Sequence, residues 1–98
     1  MHEPKLTIDV GGILHFSTRP TLAKSSVLDK VLQQSQNNGE CPFVDRDGML
    51  FYHVLAYLRN GTVPPNDDKT FLKLLMLEAG YYRLRGMETQ IGALLHDA

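Results

Sequence analysis

Residues 43–61 read FVDRDGMLFYHVLAYLRNG, and this stretch decides the fold. It starts with two apolar residues, and a charged turn over residues 45–48 comes after them. The next residues predict a helix from about Gly48 to Asn60, with Asp47 as N-cap and Gly61 at the C-terminal end. Its apolar side chains recur at helical spacing and form one stripe: Leu50, Phe51, Val54, Leu55 and Leu58. The stretch therefore predicts a strand end that runs into a helix with one buried face.

The N-terminal segment predicts a β-hairpin. Lys5 to Val10 alternates between polar and apolar residues, which is typical of a strand with one buried face. Gly11-Gly12 follows, and then a second apolar run, Ile13 to Phe16. Glycine reaches the positive φ angles that a tight hairpin turn requires, so we expect the two strands to pair.

Between the hairpin and the central stretch, the residues predict two helices. Ser17 or Thr18 can cap a short helix with Pro20 in its first turn. Ser26 and Asp29 fit a capping pattern, which predicts a second helix from about Ser26 to Gln34.

The residues just before the charged turn predict a loop and then a strand. Gln33 to Glu40 is polar and ends in turn-forming residues, so we expect an exposed loop. Cys41 to Val44 is predicted to be a short buried strand, with Cys41 as a small buried apolar side chain.

The C-terminal third predicts two more helices. One covers Lys69 to Ala79, with Asp67 or Asp68 as its cap and Gly80 at its end, and the last runs from about Gly86 to His96. The order is therefore two strands, two helices, a strand and three helices. It indicates an α+β domain with helices packed on a small sheet.

Composition narrows the class of protein. The chain has 98 residues, a formal net charge of −1 and one cysteine. The charge balance argues against nucleic-acid binding, and a single cysteine excludes an intrachain disulfide and favours a reducing compartment. No apolar run is long enough to cross a bilayer, and Met1 to Lys5 lacks the apolar segment of a signal peptide. We therefore expect a cytoplasmic protein without direct membrane contact.

The residues that could support catalysis or metal binding are scattered. The four histidines, His2, His15, His53 and His96, form no pair at the helical spacing that suits a metal ion. Gly11-Gly12 lacks the Lys-Ser/Thr of a phosphate loop. The sequence therefore predicts a non-enzymatic protein without metal or cofactor. A small thiol enzyme that uses Cys41 with His53 is an alternative that nothing in the sequence singles out.

Two charged or aromatic clusters stay open to two interpretations each. Asp47 is explained as a cap, but Arg46 between two acids fits either solvated charges or a polar interface with another copy of the chain. Tyr81-Tyr82-Arg83 fits either a binding patch or a strand or turn whose rings pack on the core.

Taken together, these segments resemble the BTB/POZ fold in its potassium-channel tetramerisation (KCTD-like) subtype. Residues 8–12, IDVGG, are similar to that family's opening strand and turn, although Asp9 stands where Asn is usual. Residues 16–22 resemble the start of its first helix, and residues 77–82 resemble its Glu-Ala-x-Phe-Tyr motif. The most specific likeness is residues 43–61, which follow the family's Phe-Ile-Asp-Arg-Asp-Gly pattern and the Leu-Arg-x-Gly after it.

The resemblance covers about residues 5–96 and implies one domain over residues 1–98. It implies a POZ fold with a small, mixed, three-stranded sheet and about five helices. It also implies self-association into a homotetramer or homopentamer through polar faces. The candidate interface residues that it carries over are Asp9, Arg46, Asp47 and Arg59. The zinc-binding cluster of some channel versions is missing, so we do not expect a zinc-bridged tetramer.

For function, the resemblance implies a protein–protein interaction and homo-oligomerisation module. We expect a KCTD-like adaptor for a cullin-based ubiquitin ligase, with a cullin as a possible partner. The alternative within the family is the cytoplasmic tetramerisation domain of a voltage-gated potassium channel.

Overall fold

A computed structural model describes residues 4–97 of the chain. Residues 1–3, which include His2 and most of the N-terminal segment that lacks a signal-peptide pattern, lie outside the described residues. In chain order the elements are β1 Lys5–Val10, β2 Ile13–Thr18, α1 Arg19–Leu22, α2 Ser26–Asn38, β3 Phe43–Val44, α3 Phe51–Asn60, α4 Lys69–Tyr81 and α5 Arg85–Asp97.

The three strands form one mixed sheet in the order β2-β1-β3. β1 and β2 pair antiparallel through the predicted two-residue turn, in which Gly11 and Gly12 have φ angles of 59° and 94°. β3 pairs parallel to β1, with Asp9 opposite Phe43 and Val10 opposite Val44. The α+β class, the three-stranded mixed sheet and the five helices are confirmed.

The hairpin tip lies against the charged turn that follows β3. The Gly11 amide donates to the Val44 carbonyl over 2.9 Å. A Cβ atom at Gly11 would collide with the Arg46 carbonyl, and one at Gly48 would collide with the Val10 carbonyl. Both positions therefore require glycine, and their close approach fixes the charged turn relative to β1 and β2.

The core lies between the inner face of the sheet and the helices. Ile8, Val10 and Val44 supply the sheet's share, and the predicted stripe of α3 packs on it. Of that stripe, Phe51, Val54, Leu55 and Leu58 are buried. The turn residue Tyr82 is fully buried among them, with its ring 5.4 Å from that of Phe51.

Two predicted boundaries are wrong around α2. The helix continues to Asn38, through most of the segment predicted to be a loop, and Gly39 ends it in the left-handed conformation at φ 73°. Polar residues give no periodic apolar signal, so the sequence pattern did not predict the C-terminal part of this helix. The N-cap is Ser25, not Ser26: its hydroxyl accepts from the Leu28 amide and donates to the Tyr82 carbonyl.

Other differences are smaller. β3 is only two residues long, and Cys41 is exposed instead of buried. α4 passes through Gly80, and Arg83 takes the left-handed conformation after the helix, at φ 57°. Asp68 caps α4, as one of the two predicted alternatives.

Candidate interaction surfaces

The side of the sheet that faces away from the core is exposed and partly apolar. Strand alternation puts Asp9, Leu14 and Phe43 in one cross-strand row on this side, with Thr7 and Phe16 in the next. Leu14, Phe16 and Phe43 are 52%, 48% and 55% exposed. We call these five residues the outer sheet face. Large apolar side chains that share an exposed face are typical of a protein–protein contact surface.

Charged groups border the outer sheet face. Arg59 of α3 donates from Nη2 to the Phe16 carbonyl over 2.8 Å, and the Lys5 ammonium lies 5.1 Å from the centre of the Phe16 ring. Asp9 lies within the face, and its Oδ1 accepts from the Gly12 amide at 2.8 Å. Two of the four predicted interface residues, Asp9 and Arg59, thus lie in or beside this face.

Arg46 makes an ion pair within its own chain, an arrangement that neither sequence interpretation included. Its guanidinium donates to both carboxylate oxygens of Glu78 on α4, at 3.1 and 2.6 Å, and its Cζ lies 4.5 Å from the centre of the Tyr81 ring. The Glu78 side chain is 8% exposed and that of Arg46 is 30% exposed. The hydrogen bond to Glu78 raises the pKa of Arg46 above its ordinary value. The pair fastens the charged turn to α4.

Asp47 caps the turn before α3 and is not the N-cap of the helix, which starts later than predicted with Leu50 at the N-cap position. Its Oδ1 accepts from the amides of Met49 and Leu50 at 2.8 and 2.9 Å, and α3 begins at Phe51. All four predicted interface residues therefore have a partner within the chain. Whether they also contact a second copy stays a prediction.

His15 is buried, which the sequence pattern did not indicate. Its Nε2 donates to the Gly48 carbonyl over 2.9 Å, and its ring meets those of Phe51 and Tyr52 edge-on, with centres 4.8 and 4.5 Å apart. Burial lowers the pKa of His15, the hydrogen bond to Gly48 raises it, and the charge of Arg59 lowers it further, so the net shift is downward. The ring joins β2 to the charged turn and to the start of α3.

A second exposed apolar surface lies on α4. Leu74, Leu77 and Tyr81 are spaced i, i+3 and i+7 and therefore share one helix face. Their exposed fractions are 48%, 63% and 41%. We call these three residues the α4 stripe. The described residues bury the opposite side of α4, through Leu72, Leu75, Glu78 and Ala79. Tyr81 is thus available to a partner, whereas Tyr82 packs on the core.

The residues considered for catalysis do not form a site. The Cys41 thiol contacts the carbonyls of Thr7 and Pro42, and the His53 ring packs edge-on against Phe71, 4.8 Å between centres. No group of three or more His, Cys, Asp or Glu within residues 4–97 is placed to hold a metal ion. None of the described helices has the length and hydropathy needed to cross a bilayer.

Comparison with known proteins agrees with this architecture. The family model of the BTB/POZ domain matches residues 6–91. A zebrafish (Danio rerio) protein named BTB/POZ domain-containing adapter for CUL3-mediated RhoA degradation protein 1 is 39% identical over 85 residues. That alignment covers 82% of this chain and 26% of the relative, so the chain spans about a quarter of the relative's length. The chain belongs to the BTB/POZ family, in its potassium-channel tetramerisation subtype.

Proposed function

We propose that this chain is a non-enzymatic adaptor module that assembles with copies of itself through the outer sheet face. The observation that carries the proposal is the exposure of Leu14, Phe16 and Phe43 around the carboxylate of Asp9. An apolar set with a charge at its centre and Arg59 at its rim can bury apolar area and fix the orientation of a partner by charge.

Self-association through this face explains why the sheet is left uncovered on one side. Antiparallel sheets with one solvent-exposed face are common, but that face is normally polar. Here the cross-strand neighbours on the uncovered side include Leu14 and Phe43 in a single row with Asp9. A second subunit would remove these side chains from water. Arg46 and Asp47, beside the hairpin tip, would then lie near the same joint, and a ring of four or five subunits is the form that we propose.

The cytoplasmic partner that we propose is a cullin scaffold, bound on the α4 stripe. Two leucines and a tyrosine at i, i+3 and i+7 are suited to the groove or helix of another protein. The Arg46 guanidinium packs on one side of the Tyr81 ring and restricts it. The Tyr81 side chain therefore loses less conformational entropy when a partner binds. The name of the zebrafish relative, an adapter for CUL3-mediated degradation, supports a cullin as the partner.

Substitutions on the two surfaces are expected to impair two different properties, self-association and cullin binding. Phe16→Glu puts a charge into the outer sheet face and is expected to convert the oligomer to monomer while cullin binding by the subunit persists. Leu77→Asp is expected to leave the oligomer intact and to abolish capture of a cullin N-terminal fragment. Sedimentation velocity at several concentrations gives the mass, and a pull-down with the purified fragment gives the binding.

Thr89→Asp, at an exposed position of α5, is the matched control and should change neither property. A wild-type chain that is monomeric at every concentration would refute self-association. An oligomeric wild type whose mass is unaffected by Phe16→Glu would refute the assignment to the outer sheet face. Cullin capture by Leu77→Asp at wild-type strength would refute the assignment to the α4 stripe.

A further inference from the structure

His15 differs from the other histidines of the described residues by its position. It is 2% exposed, whereas His53 and His96 are exposed. Its carbonyl partner at Gly48 can only accept, so Nε2 carries the hydrogen of the neutral ring. Adding a second proton would place a positive charge inside the domain.

The surroundings of the ring favour the neutral form. From α3 it meets the rings of Phe51 and Tyr52, and Arg59 of the same helix contributes a positive charge. From β1 the cross-strand neighbour is the buried Ile8. Asp47 lies in the turn beside Gly48, but its Oδ1 already accepts from two backbone amides. None of the ring's described contacts is a carboxylate that could compensate an imidazolium ion.

The buried ring lies directly behind the outer sheet face. His15 points inward from β2, and its two neighbours on the strand, Leu14 and Phe16, point outward into that face. Besides the ring contacts of His15, hydrogen bonds join β2 to the residues that follow β3 at two points: His15 to the Gly48 carbonyl, and Arg59 to the Phe16 carbonyl. A charge on His15 therefore acts on the strand that presents the outer sheet face.

We propose that His15 makes self-association sensitive to acid, because its protonation displaces β2 and with it Leu14 and Phe16. This inference rests on the proposed self-association through the outer sheet face. Protonated subunits present that face less often, so the apparent affinity between subunits falls with the fraction that is competent to bind.

The sign follows from the downward shift of the pKa of His15. Above the pKa of an unfolded histidine, about 6.5, the ring is neutral in both states and the docked strand is fully stable. As pH falls below that value the displaced state binds the proton first, and the stability of the docked strand is lost as pH passes through the lower pKa of the folded state.

Sedimentation of the full chain at constant ionic strength tests the proposal. The wild-type dissociation constant between subunits is expected to rise by up to about tenfold for each linked subunit from about pH 7.5 to about pH 5.5, because at most one proton per subunit is linked to the equilibrium. His15→Gln keeps a side-chain donor for Gly48, and His15→Phe keeps the aromatic ring. Both should lose this acid sensitivity, whereas the control His53→Gln should retain it.

The outcomes separate the inference from the proposed function. A monomer at about pH 7.5 would refute self-association, and the inference would fall with it. An oligomer that acid does not weaken, or His15 variants that acid weakens as much as the wild type, would overturn the inference alone. If both His15 variants are unfolded, the imidazole proton shifts of the wild type decide: His15 must titrate below the ordinary histidine pKa of about 6.5 and together with subunit dissociation.

Discussion

The charged turn and the outer sheet face meet at β3, but their side chains have opposite environments: one is paired within the chain and the other is exposed to solvent. Arg46, two residues after β3 ends, is held by both oxygens of the buried Glu78 carboxylate. Phe43, at the start of the same strand, is 55% exposed and lies in a row with Asp9 and Leu14. The conspicuous charge of Arg46 is thus paired within its own chain, whereas the less conspicuous apolar ring of Phe43 is left exposed to solvent.

The difference has a physical basis. A bidentate guanidinium–carboxylate pair is strong only when its geometry is fixed and solvent is partly excluded, which packing within one chain provides. An exposed apolar face needs no such fixed geometry to gain free energy on association, because burial of apolar area is favourable without direction. We therefore expect changes at Arg46 to act mainly on folding, and changes in or beside the outer sheet face to act mainly on assembly.

The largest expected effect is at Arg46. Arg46→Ala leaves the buried Glu78 carboxylate without its partner and should lower the free energy of unfolding by about 2–3 kcal/mol, somewhat below the loss for fully buried pairs. Chemical denaturation followed by circular dichroism measures it. Arg85→Ala, which removes an exposed arginine of α5, should change it by less than about 0.5 kcal/mol. An Arg46→Ala protein as stable as the wild type would show that the turn is not fastened through this pair.

A smaller folding effect and a larger assembly effect are expected at Arg59. Its hydrogen bond to the Phe16 carbonyl is exposed, so Arg59→Ala should lower the free energy of unfolding by less than about 1 kcal/mol. The same change removes the charge at the rim of the outer sheet face, and the subunit dissociation constant should rise about fivefold or more. Denaturation and sedimentation of one preparation give both values. A large loss of stability with unchanged assembly would reverse the contrast between Arg46 and Arg59.

The smallest effect is expected at Tyr82, which lies beside the Arg46–Glu78 pair. Among the described residues its buried hydroxyl has no hydrogen-bond partner, and burial raises the pKa of that hydroxyl. Tyr82→Phe removes an unsatisfied polar atom and keeps the ring on Phe51, so it should stabilise the fold by up to about 1 kcal/mol. Thermal unfolding detects a change of this size. A clear loss of stability would mean that the hydroxyl is hydrogen-bonded in solution.

Sequence patterns predicted most of the fold because its elements carry strong local signals. The alternation of β1, the glycine pair and the stripe of α3 each have one structural solution at their spacing. The end of α2 was missed, because residues 33–38 are polar and their helix depends on the cap at Gly39. Gly80 was misread as the end of α4 because a glycine is tolerated inside a helix that tertiary contacts hold.

The candidate surfaces were harder to predict. β2 carries large side chains on both faces, so alternation alone could not tell that His15 is buried and Phe16 exposed. α4 is apolar on nearly every side, and only the placement of α3 and α5 shows which side is left to solvent. The partner of Arg46 lies 32 residues further along the chain, and no local pattern connects the two.

By itself the sequence determined the order and type of the elements and the hairpin turn, because propensity and short-range sterics act over a few neighbouring residues. Only the tertiary structure decided that Glu78 pairs with Arg46, that the imidazole of His15 is buried, and that the outer sheet face and the α4 stripe stay uncovered. These properties depend on which distant segments pack against each other. The free energy of burying a side chain or pairing a charge depends on its neighbours in the fold and not on the residue type alone.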